Sequence, residues 1–175
     1  MESIVNILVE NQGILSLINS TPLLKLNRLF DHDRLNIFAK LETFNPGGSL
    51  KDRVALSMLK QAIKTDKINQ DTVVIESSSG NLGIGLAQVC CYLGLRFICV
   101  VDPKTTTQNI NIIKAYGGEI EMVLKPDAQT QEYLPTRLRR VQQLQRQFKN
   151  SFWTNQYANP HNPKAYHGLF SISCG

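Results

Sequence analysis

The chain has 175 residues, 42% of them hydrophobic, which is the composition of an ordinary globular protein with one sizeable core. Its formal charge of +5 is spread along the sequence, and no apolar stretch is long enough to cross a bilayer. These features argue against a membrane protein and against a basic nucleic-acid-binding tail. The N-terminus does not read as a secretion signal, so we expect a cytoplasmic protein whose partners are small molecules.

The first recognisable unit is a strand, a loop and a helix. Residues 1–19 mix apolar and polar positions without a clear period and are compatible with a short helix. Asn36–Leu41 is typical of a strand, Asn45–Gly48 of a turn, and Ser49 is a good N-cap for a helix that continues to about Ala62. This order begins an alternation of β and α elements.

The alternation continues in the middle of the chain. Val73–Glu76 is predicted as a strand, Ser77–Gly80 as a loop, and Asn81–Leu93 as a helix that ends at Gly94. Arg96–Val101 is almost entirely apolar and rich in β-branched and aromatic residues. Such a strand is usually covered on both faces, which indicates a central parallel sheet.

One more unit completes the fold prediction. Thr107–Tyr116 has a helical pattern that ends at Gly117-Gly118, and Glu119–Val123 is predicted as the next strand. Alternating strands and helices with short connections predict the α/β class. The architecture is a doubly wound parallel sheet between two helical layers, a three-layer αβα arrangement.

A further helix is predicted from Leu134 to Phe148. Its apolar residues recur at helical spacing and its arginines are expected on other faces, which is typical of a surface helix. The apolar residues are Leu134, Leu138, Val141, Leu144 and Phe148, and the arginines are Arg137, Arg139, Arg140 and Arg146. The alternative is a nucleic-acid-binding surface, but no aromatic platform accompanies these arginines, so no nucleic-acid partner is expected.

The four cysteines do not form a recognisable metal or disulfide pattern. They are Cys90, Cys91, Cys99 and Cys174, which are adjacent or irregularly spaced. We therefore expect buried, reduced thiols and no metal site.

The loop Asn45–Arg53 carries a lysine in an unusual setting. Two glycines allow a close turn, and Lys51 falls in the first turn of the predicted helix. The helix dipole and desolvation would both favour the neutral amine, which is the form that attacks an aldehyde to make a Schiff base. Lys51 is thus a candidate covalent anchor, although a solvated lysine is the simpler alternative. The loop is not a Walker A motif, because Leu50 stands where that motif has glycine.

The loop Glu76–Gly83 offers hydroxyls, an amide and several backbone N–H groups at the start of a helix. That combination predicts an anion site suited to a substrate carboxylate, with Asn81 free to bond a neighbouring cofactor oxygen. The alternative is a serine-rich helix cap. The glycines follow the order G-x-x-G-x-G, which argues against a dinucleotide fingerprint.

Taken together, four segments in order resemble the fold-type II pyridoxal-phosphate enzymes of the cysteine synthase family. The resemblance runs from about Asn19 to Gly168. The segments are Asn19-Ser20-Thr21-Pro22-Leu23, Asn45 to Arg53, Ser78-Ser79-Gly80-Asn81 and Asn155-Gln156-Tyr157.

The resemblance implies a cofactor and a set of roles. Lys51 would hold pyridoxal 5'-phosphate and act as general base on the substrate α-proton. The α-carboxylate of an amino-acid substrate would be bound by Gln156 and by the loop residues Ser78, Ser79, Gly80 and Asn81. Asn81 would also contact the cofactor.

Within the family, the sequence is most similar to a siderophore-pathway branch. This branch joins O-phosphoserine to glutamate and so makes a precursor of 2,3-diaminopropionate. The similarity rests on Leu82 in the serine loop, on Val100–Lys104, on Asn155–Asn159 and on Tyr166-His167-Gly168. Cysteine synthesis from O-acetylserine and sulfide is the alternative. His161 is expected to be structural or on the surface, as is His167.

We expect residues 1–168 to form a partial domain of this family and residues 169–175 to form a tail that does not match. We expect the second half of the family fold, which supplies the phosphate-binding loop, to be missing from this chain. A catalytically inactive remnant or a partner-binding module is therefore a further alternative. Full-length relatives commonly form homodimers, but we do not expect that assembly with the same strength here, because much of the fold that would support it is missing.

Overall fold

The computed structural model describes residue 4 and residues 13–28 and 36–166, and these contain six strands and five α-helices. The elements in chain order are β1 (Leu23–Lys25), β2 (Phe38–Lys40), α1 (Lys51–Lys64), β3 (Val73–Ser77), α2 (Asn81–Leu93), β4 (Arg96–Val101), α3 (Thr107–Ala115), β5 (Glu119–Met122), α4 (Tyr133–Gln147), β6 (Ser151–Trp153) and α5 (His161–Lys164). His167, Cys174 and the predicted tail 169–175 lie outside the described residues.

The central sheet has four parallel strands in the order β5-β4-β3-β6. From β3 the chain first adds β4 and β5 on one side, then crosses over to place β6 on the other side. In register, Ile75 of β3 lies between Ile98 of β4 and Trp153 of β6. This order creates a topological switch point beside β3, which is where open α/β sheets bind ligands.

Strand β2 was predicted within the series of alternating units but does not join the central sheet. It pairs with β1 in a separate antiparallel ribbon, with Leu24 opposite Ala39. A strand pattern identifies an extended segment without identifying its pairing partner, which is why the sequence could not place it.

Two hydrophobic clusters fill the two sides of the central sheet. The larger cluster joins α1, α2 and α3 to one face, and its sheet residues are Val74, Phe97, Cys99 and Val101. The smaller cluster packs α4 on the opposite face and contains Val73, Ile75, Ile98, Val100, Val141 and Leu144. Alternate strand residues thus point to opposite helical layers, and the predicted three-layer αβα architecture is confirmed.

Helix α2 has the predicted bounds, and its C-terminal end carries a strong signal. Gly94 adopts the left-handed conformation with φ 67° and closes the helix through its amide. Gly85 lies where α2 crosses α1, and a Cβ there would stand 3.2 Å from the carbonyl oxygen of Lys51. The glycine therefore permits a close approach that fixes the position of the first turn of α1.

The cysteine prediction is correct for two residues and wrong for a third. Cys90 and Cys99 are buried free thiols, whereas Cys91 is a free thiol on the exposed side of α2. Cys91 follows Cys90 by one residue, which rotates its side chain by about 100° around the helix. Among the described residues, no helix has the length and apolar character that spanning a membrane requires.

Candidate functional site

A cavity of about 290 Å³ lies at the carboxyl ends of β3 and β6, next to the topological switch point. Every site residue predicted from the sequence lines it. The lining residues are Lys51, Ser77, Ser78, Ser79, Gly80, Asn81, Leu82, Arg137, Gln156 and Tyr157. The fold therefore brings together four segments that are far apart in the chain.

Lys51 is the first residue of α1 and is half-buried at this cavity. Its backbone N–H donates to the Ser49 hydroxyl at 3.1 Å. The N-cap is Leu50, which has no capping side chain, so the prediction of Ser49 as the N-cap is wrong by one residue. The Lys51 ammonium nitrogen, Nζ, lies 3.0 Å from the hydroxyl of Tyr166. The lysine is thus held at both ends.

A buried polar cluster shapes the loop that carries Lys51. Asn45 donates through Nδ2 to Glu42 Oε2 at 2.8 Å and to the Ser49 carbonyl at 3.1 Å. Arg53 pairs with Glu42 at 2.6 Å and donates to Asn19 Oδ1 at 2.7 Å. The segment around Asn19 and the lysine loop, predicted as separate motifs, are therefore parts of one hydrogen-bonded structure.

Asp52 has an unusual environment immediately after Lys51. Its Oδ2 accepts from the Gly47 N–H at 2.5 Å, whereas its buried Oδ1 has no hydrogen-bond partner among the described residues. Burial raises the pKa of Asp52 to about 6, against the lowering effect of the Gly47 hydrogen bond. The unfolded chain would ionise this carboxyl near its ordinary value of 3.8.

The Asp52→Asn variant is therefore expected to be less sensitive to pH than the native chain. Between pH 4 and 6 the unfolded state loses its Asp52 proton before the folded state does, so the native chain loses stability as pH rises through this window. From pH 4 to pH 6 the unfolding free energy of the native chain should fall, relative to that of Asp52→Asn, by up to about 3 kcal/mol. Urea denaturation at several pH values measures it, and parallel curves for the two proteins would contradict the prediction.

The serine loop combines a helix cap with an open surface. The Ser78 hydroxyl accepts from the Gly83 N–H at 3.1 Å, which is the capping role that the sequence left open as the alternative. Ser79 and Asn81 are exposed toward the cavity side of α2, and a Cβ added to Gly80 would meet no atom within 4 Å. The space in front of the helix N-terminus is thus free to hold an anion.

Gln156 reaches the serine loop from the segment that follows β6. Its side-chain Nε2 donates to the Ser77 carbonyl at 3.2 Å, and its backbone N–H donates to Glu76 Oε2 at 3.1 Å. Strand β6, which delivers this segment, was not predicted. Residues 151–153 are too few and too evenly half-buried to show a period, so the sequence carried little signal for it.

Arg137 corrects the prediction for α4. It was assigned to an outer face of a surface helix, yet its side chain is only 11% exposed and lines the cavity. Its Nε lies 3.3 Å from Asp102 Oδ2, but Nε and Nη1 make no hydrogen bond among the described residues. A signal was present, because Arg137 precedes the buried Val141 and Leu144 by four and seven residues and therefore shares their face.

Tyr166 was missed, whereas His161 lies away from the candidate site. Tyr166 was quoted only as part of a motif, and nothing in the sequence near it indicates that its hydroxyl would lie beside Lys51. His161 lines a separate cavity of about 240 Å³ with Trp153 and Asn159. Within the described ranges, no group of histidine, cysteine or carboxylate residues could hold a metal ion.

Comparisons with known proteins give a consistent result. The family model described as pyridoxal-phosphate dependent enzyme matches residues 14–171. A hydrogen sulfide-producing enzyme from Fusobacterium nucleatum is 37% identical, with a TM-score of 0.79, over 89% of this chain and 49% of that chain. Cysteine synthase from Entamoeba histolytica is 32% identical, with a TM-score of 0.78, over 90% of this chain and 47% of that chain.

A third similar structure is the O-acetylserine dependent cystathionine beta-synthase from Helicobacter pylori. It is 32% identical, with a TM-score of 0.76, over 89% of this chain and 50% of that chain. The chain therefore spans about half the length of these relatives.

Proposed function

This chain belongs to the family of pyridoxal-phosphate-dependent enzymes, and from that premise we propose that it supplies the lysine-bearing half of a site for β-replacement on an O-activated L-serine. The observation that carries the proposal is the convergence of Lys51, the serine loop and Gln156 on one cavity. A primary amine and two kinds of carboxylate-binding group are what an amino-acid substrate and an aldehyde cofactor require.

The described residues fit one end of the cofactor. Lys51 would hold its aldehyde carbon, and Asn81 at the start of α2 would bond a ring oxygen, with open space in front of Gly80. When bound, pyridoxal phosphate spreads the negative charge that develops at the substrate Cα.

The side chains divide the remaining work. Lys51 would remove the proton from the substrate Cα and later return a proton, as a general base and acid. The substrate carboxylate would be bound by the N–H groups at the start of α2, by the Ser79 hydroxyl and by the Nε2 of Gln156. The Lys51 hydrogen bond to Tyr166 would restrict the orientation of the amine.

For the donor, we favour O-phosphoserine, with glutamate as the nucleophile, over O-acetylserine and sulfide. Arg137 presents buried nitrogens without hydrogen-bond partners at the cavity, and the Ser77 hydroxyl is also buried without a partner among the described residues. Arg137 is paired with Asp102 at 3.3 Å, but its free N–H groups and the Ser77 hydroxyl line the same cavity and would donate to an anionic substrate group. The carbonyl oxygen of an acetyl group would accept from these donors only without the second charge that strengthens a hydrogen bond to phosphate.

The Arg137→Met variant tests this preference. We expect it to bind O-phosphoserine about tenfold to a hundredfold more weakly, because one or two charge-assisted hydrogen bonds are lost, and to bind O-acetylserine nearly as well as before. The ratio of the two dissociation constants, measured by spectral titration of the cofactor-loaded protein, is insensitive to a general loss of stability. Arg139→Met is the matched control, since Arg139 lies on the same helix and is 57% exposed. Equal losses for both donors would disprove the preference.

The proposed function as a whole is tested by chemical trapping. The chain is mixed with pyridoxal phosphate, reduced with borohydride, digested and analysed by peptide mass. The expected result is a single cofactor adduct on Lys51. A folded protein with no adduct there, or with adducts spread over exposed lysines, would instead support a non-catalytic, partner-binding module.

A further inference from the structure

Glu76 is a buried carboxylate on β3 that contacts the end of β6 and the segment following it. It is 1% exposed, and each of its oxygens accepts two hydrogen bonds. Oε1 accepts from the Ser77 N–H at 2.7 Å and from the Trp153 indole Nε1 at 3.2 Å. Oε2 accepts from the Thr154 hydroxyl at 2.5 Å and from the Gln156 N–H at 3.1 Å. The Glu76 side chain thus connects β3 with Trp153 at the end of β6 and with Thr154 and Gln156 just after it.

The bonding pattern explains why a carboxylate stands here. Burial raises the pKa of Glu76, and the hydrogen bonds from Thr154, Ser77, Trp153 and Gln156 act against that increase. Three of the donors are N–H groups that cannot accept a hydrogen bond in return. Only a carboxylate offers acceptors at both positions, because an amide or an alcohol would place a donor against a donor.

We propose that Glu76 is a positioning residue, whose carboxylate holds the Gln156 segment against the serine loop and so fixes the place where Gln156 meets a substrate carboxylate. The second part of this statement rests on the proposed function. Two neighbouring contacts support the same geometry: Gln156 Nε2 donates to the Ser77 carbonyl at 3.2 Å, and Asn162 Nδ2 donates to the Gln156 carbonyl at 2.8 Å.

The Glu76→Gln variant removes the hydrogen bond from the Gln156 N–H and keeps those from Ser77 and Trp153, because it replaces one acceptor oxygen with a donor NH₂ group. The amide oxygen must take the Oε1 position, since both donors there are N–H groups. The amide NH₂ then occupies the Oε2 position, where the Thr154 hydroxyl can turn to accept from it. The Gln156 N–H has no such freedom and loses its acceptor. The variant therefore keeps the shape of the site and releases one bond.

The experiment measures amide hydrogen exchange by NMR on the full ¹⁵N-labelled chain, without ligand. In Glu76→Gln we expect the Gln156 amide to exchange about tenfold faster, because a hydrogen bond to a charged acceptor is lost. The Ser77 amide is the internal control, since it also lies beside the carboxylate but keeps its acceptor. Glu132→Gln, which makes the same chemical change at an exposed site, should leave both amides unchanged.

A second measurement connects positioning to binding. Titration of the cofactor-loaded protein with O-phosphoserine should give a dissociation constant about tenfold higher in Glu76→Gln than in the native chain. Unchanged exchange at Gln156 in the folded variant would overturn the inference, as would faster exchange with unchanged binding. If Glu76→Gln does not fold, Glu76→Asp serves instead, because its shorter side chain withdraws the carboxylate from the Gln156 N–H. The exchange rate of the Gln156 amide should then rise several-fold, and an unchanged rate would contradict the inference. If the native chain binds no amino acid, the proposed function fails, while the ligand-free exchange data still decide the role of Glu76.

Discussion

Replacing Arg53 with methionine is expected to destabilise the fold by about 3–5 kcal/mol, because it removes one partner of a buried ion pair. Arg53 is 5% exposed and contacts Glu42 through two nitrogens, at 2.6 and 2.8 Å. It also donates to Asn19 Oδ1 at 2.7 Å and to the Thr21 hydroxyl at 3.0 Å. Methionine fills much of the space but leaves the Glu42 carboxylate without its cation.

The pKa of Glu42 supports this expectation. Burial raises it, but the hydrogen bonds from Arg53, Thr21 and Asn45 outweigh burial, so the pKa lies below its ordinary value. Without Arg53 the carboxylate would keep its burial and lose its main stabilising contact. Part of the loss should therefore be recovered in the double variant Arg53→Met with Glu42→Gln, which removes the unpaired charge.

Urea denaturation followed by circular dichroism measures these free energies. Arg146→Met is the control, because Arg146 is exposed on α4 and its replacement should change stability by no more than about 0.5 kcal/mol. A double variant that is less stable than Arg53→Met would show that the pair is not the reason for the loss. Because Asn45 joins Glu42 to the Ser49 carbonyl, we also expect Arg53→Met to loosen the loop that carries Lys51.

The bounds of strands and helices were predicted well where the local sequence pattern agrees with the burial of the residues. Strand β4 has the predicted bounds because a strand covered on both faces is continuously apolar, and five of its six residues are buried. Helix α2 ends where Gly94 adopts the left-handed conformation. In both elements the residue types that favour the local structure are also the ones that pack, so no long-range information was needed.

The prediction was weaker for elements and side chains whose position depends on tertiary contacts. Strand β6 has three half-buried residues and owes its existence to pairing with β3, which no short pattern reveals. Arg137 was misplaced because charge was given more weight than spacing, although its spacing to Val141 puts it on the buried face. Its ion pair with Asp102 depends on the end of β4 lying next to α4, which only the fold shows.

The candidate site could be assembled from the sequence to a large extent. The motifs around Lys51 and Ser78–Asn81 each follow a turn and open a helix. Only the second follows a strand of the parallel sheet, whereas Lys51 is placed by the close approach of α1 to Gly85 of α2. The residues that support these motifs were not recognised. Glu76 and Asp102 stand at strand ends and look like ordinary polar residues until their buried partners are seen.

Lys51→Ala should have the largest effect on chemistry. Under the proposed function, Lys51 both holds the cofactor and moves the proton at the substrate Cα, so exchange of that proton with solvent deuterium should fall about 10²- to 10⁴-fold. NMR of the amino acid measures the exchange directly and does not require the later steps of β-replacement. Lys64→Ala is the control, since Lys64 is the exposed last residue of the same helix and should leave the rate unchanged.

A small amine distinguishes the loss of a proton-transfer group from damage to the site. In Lys51→Ala the space left by the side chain opens onto the cavity, and a primary amine such as methylamine can enter it. If Lys51 acts through its amine, added methylamine should restore part of the exchange, with a rate that rises with the concentration of its neutral form and therefore with pH. A native chain that promotes exchange no faster than its Lys51→Ala variant would remove the lysine from the chemistry, because cofactor and buffer alone would then account for all the proton movement.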